Sequence, residues 1–295
     1  MTFSDRFLKF QRSLLMRLKR HRRFEERYEI LGLISESYKT EIYKAYDRRF
    51  NTFVAVKIIK FDAPAVILSM SDFIKRWNRM YKYTRRLKHP NILSMLDSGI
   101  NRRNNFIYYS TFYISGFSLA DLERLRKINL KEKLKITADL VDAITYAHNK
   151  GIIHRDIKPS NILVDNSGKA FITDFQSARF EASPITKPGL TLGTPLYMSP
   201  EQIEGKELDN SSDIFSLGKV LYYLFSGKAA FSGGSFIEIS NKIVNEEPEP
   251  LDDTVEELPG ELISLIAGML KKDPNERMTD YRYISKTIRA LLEKI

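Results

Sequence analysis

The chain has 295 residues, long enough for one large two-lobed domain or two modest ones. Its 43% hydrophobic and 28% charged residues form an ordinary globular balance that excludes bulk disorder, and the absence of cysteine excludes disulfides, thiolate metal sites and a cysteine nucleophile. The net charge of +10 is uneven: residues 1–27 hold nine Lys/Arg against three acids, the remainder is close to balanced, and specific nucleic-acid binding is not expected.

Residues 3–20 read as one basic amphipathic helix, with Phe3, Phe7, Phe10, Leu14 and Leu18 on a single face. Residues 1–27 are thus set apart as an extension, and residues 1–23 suit an anionic membrane surface or a protein partner. A helix docked on the main domain with its charged side solvated fits the same pattern. From Tyr28 to about Tyr109 the chain is strand-rich, as in Phe53–Ile59 and Asn105–Tyr109. One helix interrupts it over Met70–Leu87, with Phe73, Trp77, Met80, Thr84 and Leu87 on one face. Beyond Gly116 helices dominate: Leu130–Asn149, Phe215–Ser226 and Glu261–Lys271. This order predicts an α+β fold of two lobes with a cleft between them, a β-rich lobe over about 28–112 and a helical one over about 113–295. No apolar run approaches the ~20 residues needed to span a bilayer. The N-terminus lacks the apolar core and cleavage site of a signal peptide. The expectation is a soluble or peripheral, cytoplasmic protein.

The chemistry concentrates in His154-Arg155-Asp156-Ile157-Lys158-Pro159-Ser160-Asn161, between a helix end and the short strand Ile162–Val164. Asp156 and Asn161 share this loop, and Asp174 follows the strand-like Ala170–Thr173. Three polar side chains on two adjacent loops suit divalent metal held against phosphates and a hydroxyl oriented for attack, because Mg²⁺ prefers oxygen ligands and fills its shell with waters and phosphates. This loop resembles the protein kinase catalytic loop in its serine/threonine form, and Asp174-Phe175-Gln176 resembles the metal-binding triplet that follows it. The resemblance implies that Asp156 accepts the substrate hydroxyl proton, that Lys158 steadies the transferred phosphate, and that Asn161 and Asp174 bind Mg²⁺, with Mn²⁺ as an alternative.

Further motifs extend the resemblance over residues 28–295. Val54-Ala55-Val56-Lys57 is similar to the strand whose lysine grips the ATP phosphates. Ser199-Pro200-Glu201, Asp213 and Arg277 resemble the end of the activation segment, the aspartate that braces the catalytic loop, and the late arginine that pairs with Glu201. Ile34, Ile42 and Ala55 would roof the adenine, Leu163 would floor it, Thr111 would set the pocket depth, and Phe112–Ile114 would form the hinge. Thr186 or Thr191 would carry a phosphate that reaches Arg155. The phrase Gly193–Gln202 is similar to bacterial members of the family.

Three positions depart from the family pattern. The glycines of the phosphate-covering loop are replaced by Ser35, Ser37 and Thr40, which implies weaker nucleotide binding. Met80 stands where the helix glutamate partner of Lys57 is expected, and Gln176 replaces the glycine of the triplet. The resemblance therefore implies a kinase that transfers the ATP γ-phosphate to protein Ser/Thr hydroxyls. The departures keep open a pseudokinase acting as a binding scaffold or allosteric module.

Overall fold

The computed structural model describes residues 22–37, 40–60, 77, 81–101, 106–175, 195–251 and 258–295. The chain divides into two compact units, Met1–Arg85 with Ser94–Ile114, and Arg86–Leu93 with Ser115–Ile295. The expected amphipathic helix over 3–20, Met80, Gln176 and the threonines Thr186 and Thr191 lie outside the described residues.

The first unit is an antiparallel five-stranded sheet in the order β1-β2-β3-β5-β4. Its strands are β1 (Tyr28–Glu36), β2 (Thr40–Asp47), β3 (Thr52–Lys60), β4 (Asp97–Asn101) and β5 (Phe106–Phe112). Burial alternates along β2 and β3, so Tyr43, Ala45, Val54, Val56 and Ile58 pack on one face. Phe24 of the short helix α1 (Arg22–Arg27) covers that face, 2% exposed, its ring 5.1 Å from Tyr28 and 4.7 Å from Tyr108. Burying such a side chain is worth about 1.5–3 kcal/mol. Arg27 then ties the helix end to the sheet through Asp47 (2.8 Å) and Asp97 (2.7 Å). Strand β5 runs three residues past the expected Tyr109, because its register with β3 continues to Val54↔Phe112.

The second unit is built on helices α2 (Leu122–Leu125), α3 (Leu130–Asn149), α4 (Pro200–Ile203), α5 (Asn210–Ser226), α6 (Phe236–Asn245), α7 (Gly260–Met269) and α8 (Tyr281–Lys294). A three-stranded sheet joins them, ordered β6 (Gly116–Ser118), β7 (Ile162–Asp165) and β8 (Ala170–Ile172). Residues 86–93 belong here because Leu93 N–H donates to Ile172 O (2.9 Å) and Ile172 N–H to Asn91 O (2.8 Å).

Helix α3 starts on a capping box, Asn129 and Glu132 each bonding the other's backbone N–H. Helix α5 is buried on nearly all sides from Ser211 to Phe225, the pattern of a helix at the centre of a core. Its beginning five residues before the expected Phe215 has a local cause. The polar run Asn210-Ser-Ser-Asp carries no apolar period, while Asp209 caps it by accepting from Ser211 N–H. Gly218 lets α5 approach the end of α7, since a Cβ there would meet Met269 at 3.0 Å. Among the described residues no helix is long and apolar enough to cross a membrane.

Candidate active site

Helix α3 ends at Lys150, and Gly151 turns the chain with φ 69°, a conformation that costs glycine little. The loop that follows is held from beneath by Asp213, fully buried in the first turn of α5. Its carboxylate accepts from the backbone N–H of His154 (2.6 Å) and Arg155 (2.8 Å), and bonds His148 Nε2 at 2.7 Å. Arg155 is left-handed, with φ 68°, and a non-glycine residue there costs about 1–2 kcal/mol unless its surroundings hold it. The two bonds to Asp213 do so.

His154 joins this loop to the one carrying Asp174. Asp156 N–H donates to His154 Nδ1 (3.2 Å), so Nε2 carries the ring proton and donates it to Thr173 O (2.8 Å). The Phe175 ring stands edge-on to the imidazole at 4.6 Å. Asp174, between Thr173 and Phe175, is also left-handed at φ 66° and is buried. Strained backbone of this kind clusters at functional sites.

The side chains of Asp156, Lys158 and Asn161 converge. Lys158 Nζ lies 2.8 Å from Asp156 Oδ2, and Asn161 Nδ2 donates to Asp156 O (2.7 Å) and to the same Oδ2 (3.0 Å). Asn161 is buried and fixed at both ends, its N–H on Lys158 O and its O accepting from Thr173 N–H. Both Nδ2 protons are thus spent on Asp156, which leaves Asn161 Oδ1 as an acceptor. An amide oxygen and a carboxylate such as that of Asp174 are hard donors of the kind Mg²⁺ prefers. Among the described residues no group of three or more His, Cys, Asp or Glu could hold a metal ion.

The expected nucleotide residues fall mostly in the first unit. The register places Ser35, Ile42, Lys57 and Tyr109 in one cross-strand row, and Lys44, Ala55 and Thr111 in the next. They face opposite to Val54, Val56 and Ile58. Lys57 Nζ stands 5.9 Å from the Tyr109 ring. Ile34 is 49% exposed, Thr111 is buried, Phe112 ends β5, and Ile114 follows two residues later. The hairpin carrying Ser35, Ser37 and Thr40 closes with Ser37 N–H on Thr40 O at 2.8 Å. Leu163 lies in the second unit, on β7 opposite Phe171.

The expected pair of Glu201 and Arg277 is present, bidentate at 2.6 and 2.7 Å and buried. Burial alone would raise the Glu201 carboxyl, but the hydrogen bonds and charge of Arg277, with further hydrogen bonds to the carboxylate, together outweigh it and hold the group below its usual range. Sequence reasoning missed Gln202. Its amide closes a capping box with Ser199 and donates to Arg155 O at 2.7 Å, joining α4 to the catalytic loop. The spacing Ser199-Pro-Glu-Gln202 is a capping-box signature and was the available signal.

Comparison with known proteins gives a match to the family model described as protein kinase domain over residues 28–291. The chain is 33% identical over 271 residues to a probable serine/threonine-protein kinase, CPE1738, of Clostridium perfringens, covering 91% of this chain and 38% of that one. It is 34% identical over 256 residues to serine/threonine-protein kinase PknA of Mycobacterium tuberculosis, covering 85% and 58%. Serine/threonine-protein kinase PrkC of Bacillus subtilis is 34% identical over 259 residues, covering 87% and 39%. The chain thus spans between 38% and 58% of the length of these curated relatives. Matched from its first strand into its last helix, and a third identical to bacterial serine/threonine kinases, the chain belongs to the protein kinase family.

Proposed function

We propose that this chain is a serine/threonine protein kinase that transfers the γ-phosphate of ATP to Ser or Thr hydroxyls of proteins. The observation that carries the reading is the convergence of Lys158 and Asn161 on one oxygen of Asp156. With Oδ2 engaged by both, Oδ1 of Asp156 is the oxygen offered to the acceptor hydroxyl, whose proton it takes as the oxygen attacks phosphorus. Lys158, one quarter exposed, is placed to meet the negative charge on the transferring phosphoryl group. Asn161 Oδ1 and Asp174 would hold the metal; Mg²⁺, or Mn²⁺ in its place, would neutralise phosphate charge during transfer.

Lys57 is assigned to the α- and β-phosphates. Ile34, Ile42, Ala55, Thr111, Phe112, Ile114 and Leu163 are assigned to the adenine. Arg155 Nε has no hydrogen-bond partner among the described residues, and it is proposed to receive a phosphate on Thr186 or Thr191. Residues 28–295 are taken as the kinase domain. We place the protein in the cytoplasm, where ATP is available, with basic residues 1–23 suited to an anionic surface of lipid or protein.

The test is incorporation of γ-labelled phosphate into a Ser/Thr-containing acceptor with ATP and Mg²⁺, comparing wild type with Asp156→Asn. Loss of a positioned base predicts a fall of about 100-fold or more. Equal incorporation by both, or none by either, would assign the chain to a scaffold or allosteric role instead.

A further inference from the structure

Lys219 lies mid-way along α5 and is 1% exposed, among the buried apolar residues Leu217, Val220 and Leu221. An apolar side chain would fill that place without cost, whereas a buried ammonium is unfavourable unless its protons are used. They are used. Nζ donates to the backbone carbonyl of Met198, and the rings of Phe215 and Phe231 stand 4.8 and 5.2 Å away. Lys272 stands over both rings and Arg277 over that of Phe215, but Lys272 Nζ is turned to Ile243 O (2.8 Å) and Arg277 to Glu201. Burial, and next the nearby Lys272 charge, hold the Lys219 ammonium well below the ordinary lysine range.

Met198 closes the turn Pro195–Tyr197, its N–H on Pro195 O at 3.0 Å. The next residue, Ser199, donates its N–H to Gln202 Oε1 (3.0 Å), and Gln202 in turn bonds Arg155 O, beside Asp156. Residues 195–199 are therefore pinned from the core by Lys219 and tied to the catalytic loop by Gln202. We propose that Lys219 is a positioning residue for the protein acceptor: by fixing Met198 it holds 195–199 as a rigid edge beside Asp156, against which the chain flanking the acceptor hydroxyl rests. The inference rests on the phosphoryl-transfer reading, but the placement of 195–199 is measurable without it.

Lys219→Met keeps length and apolar contact and removes the donor. Lys272→Met is the control, because it removes a neighbouring ammonium that bonds elsewhere. Two readouts are needed: amide hydrogen exchange at Met198 and Ser199, and the KM values for acceptor peptide and ATP. Loss of this buried hydrogen bond predicts faster exchange at both amides in Lys219→Met alone. It also predicts a rise of about tenfold in peptide KM, with ATP KM within about twofold. Unchanged exchange in Lys219→Met, or equal changes in both variants, would overturn the proposal. Faster exchange with no phosphate transfer even by wild type would leave the positioning of 195–199 standing and refute the kinase reading. Faster exchange with unaltered peptide KM in an active enzyme would refute the role in acceptor placement.

Discussion

Glu201 and Arg277 meet far apart in sequence and out of water, so each depends on the other for its solvation. Removing one partner of such a pair leaves a bare buried charge and costs about 3–5 kcal/mol. We expect Arg277→Met to lower the denaturation midpoint more than any exposed-residue change, and the double variant with Glu201→Gln to recover part of the loss. Acid adds a second signature. The Glu201 carboxyl is held low in the folded state, so its stabilisation is present above the ordinary glutamate range and fades as pH falls through the folded value. Chemical denaturation between pH 7 and pH 3 should show wild type and Glu201→Gln converging at the acid end. A gap that stays constant with pH would remove this pair from the account.

At this scale the sequence was most legible where chemistry is local. Asp156, Lys158 and Asn161 lie within six residues, and the structure brings their side chains onto one carboxylate. Gln202 and Lys219 were not legible, because each acts on a carbonyl 47 or 21 residues away that only the folded chain brings near. A lysine inside an apolar helix period is a visible anomaly, yet its target is not.

Among the elements, the β1–β2 hairpin and α1 carry the testable consequences. Ser35 and Thr40 lie in β1 and β2, and the hairpin closes with Ser37 N–H on Thr40 O. Glycine at 35 and 37 would permit closer approach of backbone to phosphate. The double variant Ser35→Gly, Ser37→Gly should tighten ATP binding several-fold by calorimetry; weaker binding would show that the serine hydroxyls themselves contact the nucleotide. Helix α1 places Phe24 on the sheet face that carries Tyr43, Val54 and Val56. Phe24→Ala should cost about 3–5 kcal/mol, read as a lower thermal midpoint, whereas a loss under 1 kcal/mol would mean that α1 is not part of the first unit's core. Periodicity located most elements, and α3 to both its ends, but not the start of α5 or the end of β5. The cap at Asp209 and the register of β5 set those, and such signals are polar or long-range rather than periodic.

Across the whole molecule the residues assigned to one reaction are divided. Those assigned to the adenine and to the α- and β-phosphates lie in the first unit, on its sheet or just past it at Ile114, except Leu163, and those assigned to transfer sit on the braced loop of the second. The second unit carries the side chains proposed for transfer, and their loop is held by hydrogen bonds of Asp213, His154 and Gln202. Of the departures from the family pattern, Ser35, Ser37, Thr40 and Met80 fall in the first unit and Gln176 in the second. That division predicts a kinase with weakened nucleotide capture and intact chemistry. The most direct measurement is a single-turnover experiment at saturating γ-labelled ATP and Mg²⁺ with the labelled residue identified. The account predicts phosphoserine or phosphothreonine formed by wild type and lost by about 100-fold or more in Asp156→Asn. Saturated nucleotide with no phosphate transferred, or transfer indifferent to Asp156, would contradict it.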